Sequence, residues 1–185
     1  METLKIKVED LTSEKIKTLK AGDLLLLSGE IYTARDAAHE RMVREAKEGK
    51  GLPFDICGKA IYYAGPCPAK PGEVIGSCGP TTAGRMDAYT PYLLDRGLKV
   101  MIGKGARSRD VIDAIKRNTC IYLGAIGGAG ALIAECIKSA EVIAYDDLGT
   151  EAIRKLYVED FPVTVLVDAY GNDIYKIGQE KYRKI

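Results

Sequence analysis

Leu98-Lys-Val-Met-Ile102 is a short apolar run that ends in Gly103-Lys104-Gly105-Ala106-Arg107-Ser108. Ser108–Asn118 follows, with Val111, Ile112 and Ile115 at helical spacing. Thr119-Cys120-Ile121-Tyr122-Leu123 is again apolar and β-branched. The period changes from that of a strand to that of a helix and back within 26 residues, which predicts a β-α-β unit and a parallel strand pair. Working outward, the same alternation recurs. Thr119–Leu123 leads through a glycine-rich turn into a helix over Ala129–Lys138, then a strand over Val142–Tyr145 and a short helix over Thr150–Tyr157. Val163–Asp168 and Ile174–Ile177 read as a hairpin over Tyr170-Gly171-Asn172-Asp173.

Toward the N-terminus, Leu4–Val8 reads as a strand and Thr12–Leu19 as a helix capped by Thr12 or Ser13. Leu24–Thr33 is an extended run broken at Ser28-Gly29. Ala34–Lys47 is a helix with His39, Met42, Val43 and Ala46 on one face. Lys59–Tyr63 and Glu73–Ser77 are short strand candidates around a proline-rich loop. Thr90-Pro91 opens a helix that Gly97 stops, with Thr90 as cap. Strands alternating with helices predict an α/β fold with a partly parallel central sheet. No repeat, linker or low-complexity stretch divides the chain, so residues 1–185 read as one domain.

Composition narrows the function. The 185 residues carry 27 Lys plus Arg against 26 Asp plus Glu, a formal charge of +1. That balance excludes the concentrated basic face of a nucleic-acid-binding protein. Runs such as Lys15–Lys20 are broken by apolar residues and read as solvated surface. No segment reaches the roughly 18 apolar residues that span a bilayer, and Met1-Glu2-Thr3-Leu4-Lys5 lacks the layout of a secretion signal. A cytoplasmic chain without membrane contact is the expectation. The five Cys, at 57, 67, 78, 120 and 136, contain no C-x-x-C, and there is one His. That spacing fits neither zinc nor an iron–sulfur cluster, so no metal ligands are expected in this chain. Cys120 and Cys136 read as small core residues. Cys57, Cys67 and Cys78 sit beside Gly and Pro in loops.

Three motifs carry possible chemistry. Gly103–Ser108 has part of the G-x-G-x-x-G pattern, but no acid closes the following strand, which leaves dinucleotide binding weakly supported. Gly124–Gly130 has no Lys-Ser/Thr. It is either a tight turn or a backbone that lets a ligand come close. Gly79-Pro80-Thr81-Thr82-Ala83-Gly84-Arg85-Met86-Asp87 is a rigid polar loop whose N–H groups, hydroxyls and Arg85 suit an anion. Arg35 and Lys104 also follow strands. Ligands of α/β sheets collect beyond strand carboxyl ends, and two Arg with one Lys there would grip a small dicarboxylate. The competing reading is three unrelated surface cations.

The ordered blocks Gly22-Asp23 with Leu27–His39, Tyr63-Ala64-Gly65-Pro66, Ser77–Asp87 and Ile102–Gly105 resemble the β region of the class I fumarases and L(+)-tartrate dehydratases. The resemblance implies a swivelling β/β/α domain. It implies a hydro-lyase that hydrates fumarate to (S)-malate with an oxygen-sensitive [4Fe-4S] cluster. The cluster would be held by a separate α subunit, in an α2β2 assembly for example. Tartrate dehydratase is the neighbouring activity, and a free-standing anion- or nucleotide-binding module is the reading from another class. By the same resemblance, Arg35, Arg85 and Lys104 are carboxylate ligands and Thr81 is the base, or else only orients a carboxylate. Asp36 and Asp87 are expected to hold the guanidinium planes, or to be ordinary helix-start acids. His39, one turn after Arg35, is either a structural histidine or a substrate contact.

Overall fold

The computed structural model describes residues 3–183. Strands β1 (Thr3–Lys7), β2 (Leu24–Thr33), β3 (Ala60–Tyr62), β4 (Val100–Gly103) and β5 (Ile121–Gly124) pair in parallel, in that spatial order. β7 (Ile153–Val167) runs antiparallel to β5, to β6 (Ile137–Ala144) and also to β2. Because β7 bonds both β2 and β5, strands β2-β3-β4-β5-β7 close into a ring. β1 extends the ring beside the first half of β2, and β6 extends it beside the first half of β7. The fold is α/β, with a mostly parallel seven-stranded sheet and helices around it.

The side-chain alternation of the strands makes two cores. Ala60 and Tyr62 of β3, Val100 and Ile102 of β4, and Ile121 and Leu123 of β5 point into the ring. There they meet Leu25, Leu27, Ile31, Leu156, Phe161 and Val165. Ile61, Met101 and Tyr122, one residue out of phase, face the helices instead. Helices α2 (Asp36–Lys47), α3 (Thr90–Leu94) and α4 (Arg109–Asn118) cover that side with Met42, Leu93, Val111 and Ile115. The short parallel strands are therefore apolar at every position, as strands buried on both faces must be. The result is one closed sheet with an apolar interior and a helical layer on its outer side.

Most expected elements form. Thr12 caps α1 (Ser13–Thr18) by accepting from the Lys15 amide, and Ser108 caps α4 by accepting from Val111. The break at Ser28-Gly29 is a β-bulge in the β2–β7 ladder. Gly29 has φ +127°, and a Cβ there would lie 2.9 Å from Glu9 Oε2.

Four expectations fail, each for an identifiable physical reason. Glu73–Ser77 is not a strand: Cys67 N donates to Ser77 O and Gly76 N to Cys67 O, so the segment folds back on itself as a loop. Thr150–Tyr157 is not a helix. A 3-10 turn over Asp146–Glu151 precedes β7, whose buried residues Ile153, Leu156 and Val158 are unevenly spaced and mimic a helical period. Ile174–Ile177 is not the second arm of a hairpin. The Asp173 carboxylate accepts from the Tyr175 amide and starts α6 (Ile174–Tyr182), leaving one bridge from Val167 to Asp173. Thr90 is not the cap of α3: Tyr89 holds that position, and the Thr90 hydroxyl donates to Met86 O. Among the described residues no helix is long and apolar enough to cross a membrane. Cys120 is buried as expected, Cys136 only partly. Cys78 is buried, while Cys57 and Cys67 are exposed.

Phe161 lies fully buried inside the ring, edge-on to Tyr62 at 5.2 Å. Phe161→Ala should cost about 3–5 kcal/mol, and Tyr157→Ala, at a 44% exposed β7 position, less than about 1 kcal/mol. Urea unfolding of the two variants checks the assignment of the inner core.

Candidate active site

The four parallel strands β2 to β5 end at one rim of the ring. Arg35 follows β2, Gly65 follows β3, Lys104 follows β4 and the turn Gly124–Gly130 follows β5. The loop carrying Thr81 and Arg85 is laid across this rim by the backbone. Thr81 N donates to Tyr63 O at the end of β3 (2.7 Å), Lys104 N to Thr81 O (3.3 Å), and Ala83 N to Lys104 O (2.8 Å). Thr81 and Lys104 are thus joined through the main chain. Gly103 has no room for a side chain at this junction: a Cβ would lie 2.8 Å from Tyr63 Cδ2 and 3.2 Å from Ala83 Cβ.

Arg35 and Arg85 are brought together by one carboxylate. Asp36 Oδ2 lies 3.1 Å from Arg35 Nε and Oδ1 lies 2.6 Å from Arg85 Nε. Glu151 Oε1 adds a second acid at 3.3 Å from Arg35 Nε, and its Oε2 accepts from the Ala37 amide at the start of α2. Burial alone would disfavour the Asp36 charge. Bonds from its own N–H and from Arg35, with the charges of Arg85 and Arg35, prevail and hold its carboxyl below the usual range. The Arg35 stem crosses Gly65, where a Cβ would come within 3.0 Å of Arg35 Cδ. Arg85 is half exposed. Lys104 is exposed and lies along the β5 turn, 3.5 Å from where a Cβ on Gly127 would stand, and it makes no ion pair among the described residues. The rim therefore presents two positive groups outward, Arg85 and Lys104, beside a third that is anchored, Arg35.

Asp87 does not hold Arg85. Its Oδ1 accepts from Arg107 Nε at 2.7 Å and its Oδ2 from Ser108 N at 2.6 Å. This carboxylate occupies the N-terminus of α4, the place a phosphate would take at the Gly103–Ser108 motif. His39 is fully buried under the rim. Its Nδ1–H donates to Arg35 O at 3.0 Å, its ring meets Tyr63 edge-on, and Nε2 has no partner. It faces neighbouring protein, not the open rim. Burial first, and then the Arg107 charge, lower its pKa to about 4. Glu151 and Arg107 escape a sequence reading. The first lies in a segment that looks helical, and the second is hidden in a motif that resembles a nucleotide loop. Among the described residues no three His, Cys, Asp or Glu side chains group as a metal site requires.

His39 is the sole histidine, which makes its titration separable. Its pKa is lowered on folding, so the neutral form is favoured and stability is lost as pH falls from about 6.5 toward 4. Between pH 7 and 5 the step amounts to about 2 kcal/mol. A His39→Gln chain should lack it, so the difference between the two pH profiles in urea unfolding isolates the histidine.

Comparison with known proteins bears on this rim. The family model described as Fumarase C-terminus matches residues 1–178. The chain is 47% identical over 154 residues to the aerobic class I fumarate hydratase of Escherichia coli, covering 82% of this chain and 28% of that protein. It is 36% identical over 182 residues to the putative L(+)-tartrate dehydratase subunit beta of Methanocaldococcus jannaschii, covering 95% of this chain and 93% of that one. A putative class I fumarate hydratase of Geobacillus stearothermophilus is 33% identical over 171 residues, 90% of this chain and 32% of the relative. The chain thus spans less than a third of the length of the fumarate hydratases it matches, and nearly all of the tartrate dehydratase subunit. A match over almost the whole chain, including the strand ends and the loop that carry Arg35, Lys104, Thr81 and Arg85, makes this protein a member of the fumarase C-terminal family, which it shares with hydro-lyases.

Proposed function

We propose that this chain is the β subunit of a hydro-lyase that reversibly hydrates fumarate to (S)-malate, in a site completed by an α subunit. The observation that carries the reading is the arrangement of Arg35, Arg85, Lys104 and Thr81 on one rim, in a chain of the fumarase C-terminal family. Arg85 and Lys104 bind the substrate carboxylates, and Arg35, clamped by Asp36 and Glu151, fixes the position of Arg85 through their shared carboxylate. Removing the C3 proton of malate places negative charge next to a carboxylate. Cations already paired with that carboxylate lower the cost. Thr81 takes that proton. An ordinary Thr hydroxyl is a poor base, and the neighbouring Arg85 and Lys104 charges favour its alkoxide. The described residues of this chain offer no ligand set for a [4Fe-4S] cluster, so we assign the cluster to the α subunit, within an α2β2 assembly.

A second reading, L(+)-tartrate dehydratase β subunit, is favoured by one observation: the relative so named is a separate subunit that this chain matches almost end to end. Both substrates are dicarboxylates, and the same cations serve either.

The chain co-expressed with its α subunit and assayed without oxygen should hydrate fumarate faster than it dehydrates tartrate, and the reverse order selects the second reading. Arg85→Ala should raise KM by about 10- to 100-fold, the loss of one charge-assisted pair. Thr81→Ala should lower kcat by about 10²-fold or more if Thr81 moves the proton. A rise in KM at nearly constant kcat would reassign it to orienting a carboxylate.

A further inference from the structure

Arg107 is the charged side chain least explained by a substrate-binding rim. Its guanidinium is fully buried, behind the rim and away from solvent. A buried charge is costly unless its donors are all used, and those of Arg107 are spent on separate segments. Nε bonds Asp87 Oδ1 at 2.7 Å and Nη2 bonds Thr90 Oγ1 at 2.9 Å. Nη1 reaches the Tyr63 hydroxyl at 3.4 Å and Met101 Sδ at 3.5 Å. The rings of Tyr63 and Tyr122 lie within 5.3 Å and 4.9 Å of it.

These partners bracket the reactive loop. Asp87 is two residues beyond Arg85, and it also bonds the Ser108 amide. Thr90 ties the same segment down from its far end through Met86 O. Tyr63 supplies the carbonyl that holds the Thr81 amide. One planar fork therefore joins the end of β3, the segment 81–90 and the connection from β4 to α4. From this geometry we infer that Arg107 is a positioning residue that fixes the segment bearing Thr81 and Arg85 without touching substrate. The inference that this matters for carboxylate binding rests on the function proposed above. Lys in its place keeps the charge but cannot span Asp87, Thr90 and Tyr63 at once.

The first experiment needs no partner and no turnover. Hydrogen exchange of the full chain should show the 81–90 segment of Arg107→Lys exchanging roughly tenfold faster, with the β2 and β7 peptides unchanged. Uniform acceleration, or no change in 81–90, overturns the inference. Should Arg107→Lys fail to fold, Thr90→Val removes the hydroxyl that accepts from Arg107 Nη2 and donates to Met86 O, and Thr90→Ser should restore wild-type exchange; loss of protection that Ser does not restore counts against the inference. The second experiment is a double-mutant cycle in the αβ complex. Arg107→Lys should raise KM for the dicarboxylate roughly tenfold in the wild-type background but less than about twofold when Arg85 is already Ala. Equal factors in both backgrounds mean general destabilisation and overturn it. A wild-type complex inactive on both fumarate and tartrate would defeat the proposed function, while the exchange measurement still decides the role of Arg107.

Discussion

The pairing of β7 with two strands at once is the constraint on which the rest depends. Along Arg154–Thr164 it bonds β2, and along Thr164–Val167 it bonds β5, so a sheet that would otherwise be open becomes a ring. A closed ring has an inside, and that inside is one apolar core. Its parallel strands must then bury their other face too, which the helices α2, α3 and α4 do. Four parallel strands in one ring also deliver four strand ends to a single rim. Side chains far apart in sequence meet there without any element being designed for them alone.

At that rim, order is maintained by acids rather than by apolar packing. Asp36 is shared between Arg35 and Arg85, Glu151 steadies Arg35, and Asp87 is spent on Arg107 and the start of α4. The carboxylates lower the local positive charge, but they fix guanidinium groups that would otherwise sample many rotamers in water. A ligand that meets fixed cations loses less free energy to ordering the site. The near-neutral total of the chain therefore coexists with a rim where cations outnumber the acids that face outward.

Much of the fold was legible locally. The β-α-β unit over Leu98–Leu123, the caps Thr12 and Ser108 and the bulge at Ser28-Gly29 all follow from residue pattern and short-range hydrogen bonding. The misread elements share a cause. Glu73–Ser77, Thr150–Tyr157 and Ile174–Ile177 are short, and their conformation depends on whether a distant strand offers a partner. β7 has partners on both edges and stays extended. Glu73–Ser77 bonds back to Cys67 and becomes a loop. Ile174 follows an aspartate cap and becomes helical.

The sequence by itself determined most of the elements, the apolar phase of the short parallel strands and the presence of cations after β2 and β4 and in the loop between them, because these depend on neighbours within a few residues. It also carried the four ordered blocks that mark the family. Only the tertiary structure decided which acid serves which cation. Asp36 joins Arg35 to Arg85 because β2 and the 81–87 loop end on the same rim. Asp87 turns away to Arg107 because the β4–α4 connection lies beneath it. Ion pairs form across space, at distances set by ring closure, and no local pattern encodes that closure.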